Sequence, residues 1–387
     1  MKKTLLILIG ITMPLLCWSQ GKAVLPNWVP AKSKETIHRM QDNGMMTHLD
    51  MAITLSNVGI GFDFATPMTR WAQLRMGGSF RPNTNYNCTL QTEISEGLSK
   101  EEQERRMNKL TSLAGTYLHT NASREVEVTG GLEMLNFKML LDIYPIQEHR
   151  NLHLTVGFYW GNSRIVEGKS TARSGNILTA MNMYDALYDR AIAGEDMDLS
   201  VAGINMAREQ ATMRKKLRDW GALTIPVGTY SHDIAAASNV YYTRDMTDEN
   251  GNVTHRAGEL RYAEGDVMHK AGETVRLRPN DRDMILIDAK VSSFKPYIGM
   301  GYSLPLRKDG KLKLSVDAGV LLWGGHPEIT TVVESEGSDA SGNVIHNGID
   351  LTRDVDNIGG SLGELVDKAK RYGVMPEVTL RLSQRLW

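Results

Sequence analysis

The residue types from which an acyl-transfer site is built are His149, His153, Ser163, Asp142 and Ser315. Such a site needs a nucleophile, a base and an orienting group held near one another. No G-x-S-x-G elbow is present to present a serine. His149 falls in a turn, and His153 alternates with Thr155 as any inward-facing histidine would. No catalytic residue is therefore assigned, and no enzymatic activity is expected.

A second group is more regular. Arg75, Arg81, Lys138, Lys313, Arg381 and Arg385 stand against Asp63, Asp142 and Asp317, each one residue out of step with apolar neighbours. Together with His153 they are expected on one face of their segments, the inner one. There they would either line a passage that prefers anions or pair with one another and fill the space. Asp248, Asn250 and Gly251 are spaced as in a calcium loop. However, Met246 stands where the first ligand belongs and Ala257 where the closing glutamate belongs. The cysteines are Cys17 and Cys88, so no cysteine-based zinc pattern applies. Neither a metal nor a cofactor is expected. A formal net charge of −1 argues against a nucleic-acid partner.

The elements that carry these residues alternate strictly. Val58, Ile60, Phe62 and Phe64 are apolar, with Gly59, Gly61 and Asp63 between them. After a turn at Pro67 the pattern resumes, with Leu74, Met76 and Phe80 against Gln73, Arg75 and Ser79. Leu135, Phe137 and Met139 alternate with Asn136 and Lys138, and Leu154, Val156 and Phe158 follow after a turn near Pro145. A third hairpin turns at Arg307–Lys311 between Ile298–Leu304 and Leu312–Leu322. A last strand, from Pro376, places Val378, Leu380 and Leu382 opposite Thr379 and Arg381. Side chains alternate faces along a strand, so each segment has one apolar and one polar face. Strands of about ten residues suffice to cross a bilayer when tilted.

The fold class expected is all-β: a transmembrane antiparallel up-and-down barrel. Short turns alternate with long loops, as in outer-membrane barrels. Seven strands are legible and closure needs an even number, so eight are expected, with ten or twelve as alternatives. The missing strand, or a peptide threaded through the lumen, is sought in Gly21–Met51. Lys2, Lys3 and the apolar run Leu5–Leu16 form a signal peptide over 1–19, with cleavage after Ser19. Cys17 follows bulky Leu15 and Leu16, unlike a lipoprotein cysteine. Residues 20–50 form a periplasmic segment or weak first strand, and 51–387 the barrel. Its insertions, 82–122, 170–283 and 324–373, are expected outside the cell. Within them helices are expected over Ser99–Tyr117, over Asn176–Trp220 with a break near Gly194, and over Ser361–Tyr372, capped by Ser361 with Glu364 and ended by Gly373. The phrases Asp248–His255 and Asp339–His346 repeat one hairpin turn.

The closing stretch Met375–Trp387 resembles the terminal strand by which outer-membrane barrels are recognised for insertion, although Trp387 is out of phase and Leu386 takes the in-phase place. The hairpins, with Pro296–Tyr302 in the third, resemble those of small porin-like barrels of Gram-negative bacteria. A cleavage site before Gln20 is similar to those of the Bacteroidota. The resemblance implies an outer-membrane location, contact with outer-membrane lipid, and use of the barrel-assembly machinery through Pro376–Trp387. Of the roles open to such a chain, a structural or surface-binding barrel is expected first, a small-solute porin second and a barrel hydrolase third. No residue names a ligand.

Overall fold

The computed structural model describes residues 45–386 except 92, 95–100, 103, 106–107, 109–124, 147–150, 197–206, 281 and 334. The expected signal segment, residues 20–44, His149, Trp387 and most of Ser99–Tyr117 lie outside these. In chain order the longer strands begin with β1 (Asp50–Ser56), β2 (Gly59–Pro67), β3 (Ala72–Gln91), β4 (Glu125–Ile143), β5 (Leu152–Gly161), β6 (Arg164–Ser170) and β7 (Leu223–Tyr230). They continue with β8 (Leu286–Lys290), β9 (Phe294–Pro305), β10 (Leu312–Leu322), β11 (Glu328–Val332), β12 (Gly348–Asp350) and β13 (Val374–Arg385). Among the described residues the longer α-helices are α1 (Gly175–Ala193), α2 (Ala207–Trp220) and α3 (Gly360–Arg371).

Eight strands close an antiparallel barrel in the order β1, β2, β3, β4, β5, β9, β10, β13, with β13 returning to β1. Closure leaves no open edge, so every barrel strand pairs on both sides. The eighth strand is β1, which shares only Asp50 and Met51 with the segment Gly21–Met51 where it was sought and otherwise follows it. A two-residue turn, Asn57-Val58, joins it to β2. Val58, expected on the apolar outer face, instead lies in that turn and is fully buried with Met134, Tyr159 and Tyr297. Gly59 follows at φ +138°, and a Cβ there would run into the carbonyl of Phe80. The tightness of this turn, not strand periodicity, decides where Val58 points.

Alternation sorts the remaining faces as hydropathy requires. Ile53, Ile60, Phe62, Leu135, Trp160, Met300 and Val378 are exposed on the outside. Asp63, Arg75, Lys138, His153, Asp317 and Arg381 are buried inside. This inverts a water-soluble barrel, whose apolar side chains are buried. No helix among the described residues is long and apolar enough to cross a membrane.

Above the barrel, β3 and β4 run on as a paired ribbon up to Gln91 and Glu125. A bulge between Arg81 and Thr84 shifts the register by one residue. Such a bulge turns side chains to the opposite face. Below it odd residues such as Ser79 are buried; above it Cys88 and Leu90 are. The upper part of β4 leaves β5 and pairs with β6, starting a wing β6–β8–β11–β12. Its inner face, with Val128, Ile287, Ile329 and Ile349, packs with Ile177, Leu178 and Met181 of α1 and Leu362 and Val366 of α3 into a core separate from the barrel. Fully burying a side chain such as Leu178 stabilises this core by roughly 1.5–3 kcal/mol. Residues buried against helices thus make the outer part a folded unit.

Helix α1 ends at Gly194 (φ +74°), at the break expected from sequence, and α2 follows. The cap of α3 differs from expectation. Gly359 is its N-cap, and Ser361 Oγ instead accepts the Thr89 N–H at 2.9 Å, tying α3 to β3. Its C-cap is Tyr372 rather than Gly373. Between β7 and residues 274–277 the chain forms one long ribbon, stepped by turns at Gly258, Gly265 and Gly272 with φ of +79°, +89° and +87°. Asp245, Asn239 and Asp233 on the opposing arm accept the N–H of Ala257, Glu264 and Ala271 at 2.8, 2.9 and 2.8 Å. The repeated phrases form matching turns: Asp248 Oδ1 accepts the Asn250 and Asn252 N–H, and Asp339 Oδ1 those of Ser341 and Asn343.

Candidate functional site

The charged side chains converge on the barrel axis because alternation aims every second residue inward. At mid-height, Arg75 from β3 reaches Asp317 Oδ2 at 3.1 Å, Asp142 Oδ1 at 3.6 Å and Asp63 Oδ2 at 3.8 Å. Arg381 from β13 lies 3.4 Å from both Asp142 Oδ2 and Asp317 Oδ2. Lys138 Nζ sits 2.7 Å from Asp63 Oδ1 and donates to Thr54 Oγ1 at 3.3 Å. His153 Nε2 is 2.7 Å from Asp317 Oδ1, and Thr155 Oγ1 donates to Asp142 Oδ1 at 2.8 Å. Three carboxylates therefore face three basic side chains in this cluster. A desolvated charge is tolerated only when so paired.

Glycines on the inner face make room for the cluster. A Cβ at Gly301 would collide with Asp317 Oδ1 and His153 Nε2. At Gly319 it would come within 2.5 Å of the Tyr297 hydroxyl.

The two ends differ. Toward the short turns, Arg385 Nε lies 3.4 Å from Asp50 Oδ1, while Tyr144 OH donates to Gln73 Oε1 at 2.8 Å. Lys313 is half-buried at this end. Toward the long loops, Glu377 accepts from Tyr159 OH at 3.1 Å and Thr379 Oγ1 at 2.9 Å. Lys295 is completely buried, its Nζ within 3.3 Å of Asn136 Oδ1. Met134, Leu321 and Val58 at this end join Tyr159, Tyr297 and Leu140 in one buried apolar cluster, Leu140 lying between Lys138 and Asp142 on β4. Arg81 lies at this rim and donates to the Asn57 carbonyl at 2.6 Å.

The residues that could have formed a hydrolytic site are not brought together. His153 and Asp317 pair, but Ser315 Oγ bonds Ser303 Oγ at 2.8 Å, and Ser163 is exposed above the barrel. Among the described residues no group of His, Cys, Asp or Glu could hold a metal ion. The Asp248 carboxylate is occupied by its own turn. Its hydrogen bonds to Asn252 hold its pKa below the usual range, and Asn343 does the same for Asp339.

Sequence reasoning missed Lys295, Glu377 and Tyr297 as interior residues, while Tyr159 falls on the face of His153 and Thr155 by period alone. Glu377 shares the parity of Arg381, which is the signal that could have found it. Lys295 and Tyr297 were hidden by the position chosen for the start of the third hairpin.

No protein-family model matches the chain, and no curated protein matches it. Among solved structures, CarO2 of Acinetobacter baumannii is 11% identical, with 89% of this chain and 99% of that one covered and a TM-score of 0.32. CarO of the same species is 9% identical, with 87% and 97% covered and a TM-score of 0.32. A major outer membrane protein from Thermus thermophilus is 12% identical, with 87% and 99% covered and a TM-score of 0.29. At these values the likeness carries nothing about role, and the closed eight-stranded barrel rests on this chain's own strand pairings.

Proposed function

We propose that the chain is an outer-membrane protein whose barrel is a filled anchor and whose working surface is the folded unit above it. The observation that carries this reading is the interior: Arg75, Lys138, Asp142, His153, Asp317 and Arg381 are buried and mutually paired, and buried apolar side chains pack beside them. An eight-stranded barrel is just wide enough to be filled by side chains. The outside supports membrane insertion. Its exposed apolar belt carries Trp71 toward one rim and Phe80, Trp160 and Phe294 toward the other. Aromatic girdles of this kind mark the two bilayer interfaces.

On this reading residues 1–19 direct export, the source is a Gram-negative bacterium of Bacteroidota type, and Pro376–Trp387 engages the barrel-assembly machinery. The belt meets outer-membrane lipid, and no nucleic acid is bound. The outer unit binds a surface partner or plays a structural part in the envelope. A small-solute porin would need a continuous path, which the paired cluster opposes. A hydrolase would need His153 within reach of substrate, and His153 is wholly buried. Liposome swelling with small sugars tests the choice. Vesicles carrying the folded protein should swell no faster than empty ones; size-dependent swelling would favour the porin.

A further inference from the structure

Helix α3 descends from its tie at Thr89 to the barrel rim and runs directly into β13. Its acidic residues Glu364 and Asp367 precede its bases Lys368, Lys370 and Arg371, so the bases lie on the rim side. Lys370 is turned back, donating to the Val355 carbonyl at 3.3 Å and lying 3.8 Å from Asp356. Lys368 and Arg371 are exposed, with Lys368 only loosely paired to Glu364 at 4.0 Å. Tyr372, also exposed, follows them, and its carbonyl accepts the Trp323 indole N–H at 3.1 Å. Immediately below, Leu322 and Val374 are cross-strand partners and begin the apolar outer face of β10 and β13.

Two cations and the exposed ring of Tyr372 thus stand where the apolar belt stops, with Trp323 half-buried against the interior apolar cluster and tied to Tyr372 from behind. We infer that this corner binds the phosphate of an anionic lipid headgroup, with Lys368 and Arg371 on the phosphate and Tyr372, anchored by Trp323, at the headgroup level. The inference rests on the membrane reading above. Charge complementarity and continuity with the belt select a lipid over a soluble anion, because a headgroup at this height brings its chains against Leu322 and Val374. Basic residues in a last helical turn also offset the helix dipole. That role needs neither the aromatic pair nor the position at the belt edge, and it would be served equally in any lipid.

The test uses the full-length protein in phosphatidylcholine vesicles with and without phosphatidylglycerol, counting retained lipid by native mass spectrometry. The wild type should retain phosphatidylglycerol selectively. Lys368→Gln with Arg371→Gln should lower that retention roughly 5-fold for each charge removed. Lys368→Arg with Arg371→Lys should preserve it, and Lys308→Gln in the opposite turn should leave it unchanged. Equal retention by the double glutamine variant, or equal loss in Lys308→Gln, would overturn the site while leaving the membrane reading intact. A wild-type protein that stays dispersed in plain buffer and enters neither vesicle would overturn the membrane reading and the lipid site with it.

Discussion

His153 Nε2 and Asp317 Oδ1, contributed by β5 and β10, lie 2.7 Å apart in the space that Gly301 of β9 leaves empty between them. One strand's missing side chain therefore makes room for a pair formed by its two neighbours. Gly301→Ala should destabilise the barrel by about 1–3 kcal/mol through overpacking. The check is unfolding in lipid vesicles, followed by the gel shift of heat-modifiable barrels. Its outward neighbour Met300→Ala should cost clearly less, since Met300 is exposed and fills no cavity. Equal effects would mean that the interior is loose around His153.

Arg75 neutralises carboxylates on three other strands, Asp63, Asp142 and Asp317. Arg75→Met would leave buried negative charge uncompensated and should cost about 3–5 kcal/mol. Arg81→Met at the rim removes a bond to the Asn57 carbonyl beside solvent and should cost roughly 1 kcal/mol or less. The same vesicle unfolding assay ranks the two. A smaller loss for Arg75→Met than for Arg81→Met would contradict the paired interior.

The inner and outer faces of β10 make opposite demands on a charge. Val316→Arg places a cation on the exposed apolar face and should cost about 2–4 kcal/mol near the bilayer midplane. Ser315→Arg, one residue away, must fit where Ser315 bonds Ser303, and a filled interior makes it at least as harmful. A tolerated Ser315→Arg would indicate a wide lumen.

Which residues face which way was legible in the sequence wherever strands were long. Phe62 against Asp63, Leu154 against His153 and Leu380 against Arg381 could be sorted by period alone. What was not legible came from departures from that period. Asn57-Val58 is too short a connection to separate β1 from β2 by composition, so β1 merged with the segment before it. The bulge at Arg81 inverts β3 and carries Cys88 and Leu90 into the outer core, within a stretch the sequence assigned to the insertion 82–122. The stepped ribbon between β7 and residue 277 has rungs of two or three residues, below the length at which alternation shows. The seven-residue spacing of Gly251, Gly258, Gly265 and Gly272 was the available signal. Asp317 could be placed inside from sequence, but not beside His153, because pairing across the lumen depends on strand register and shear.

Topology can be read by cysteine labelling on intact cells. Lys215→Cys on α2 should react with an impermeant maleimide, and Lys308→Cys in the short turn should not. Cys88 supplies little background, since it is buried and burial pushes its thiol up to about 11, leaving almost no thiolate at neutral pH. Labelling at Lys308→Cys alone would invert the barrel.

The Asp248 turn has a pH signature of defined sign. Its pKa is depressed by Asn252, so the turn is held while the carboxylate is ionised and is released as pH falls through the folded pKa, below the ordinary aspartate value. Asn252→Ala should raise the Asp248 midpoint toward that ordinary value, measured by carboxyl NMR titration, and leave the Asp339 midpoint unchanged. An unmoved Asp248 midpoint would assign the depression to something other than its own turn.

The filled interior is tested most directly by electrical recording of the purified full-length protein in planar bilayers. Verified insertion, shown by the heat-modifiable gel shift of the same sample, should be accompanied by a current indistinguishable from the bare bilayer. Steady open-state steps of uniform size, enlarged by Arg75→Ala, would contradict a barrel closed by the Arg75, Asp142, Asp317 and Arg381 cluster.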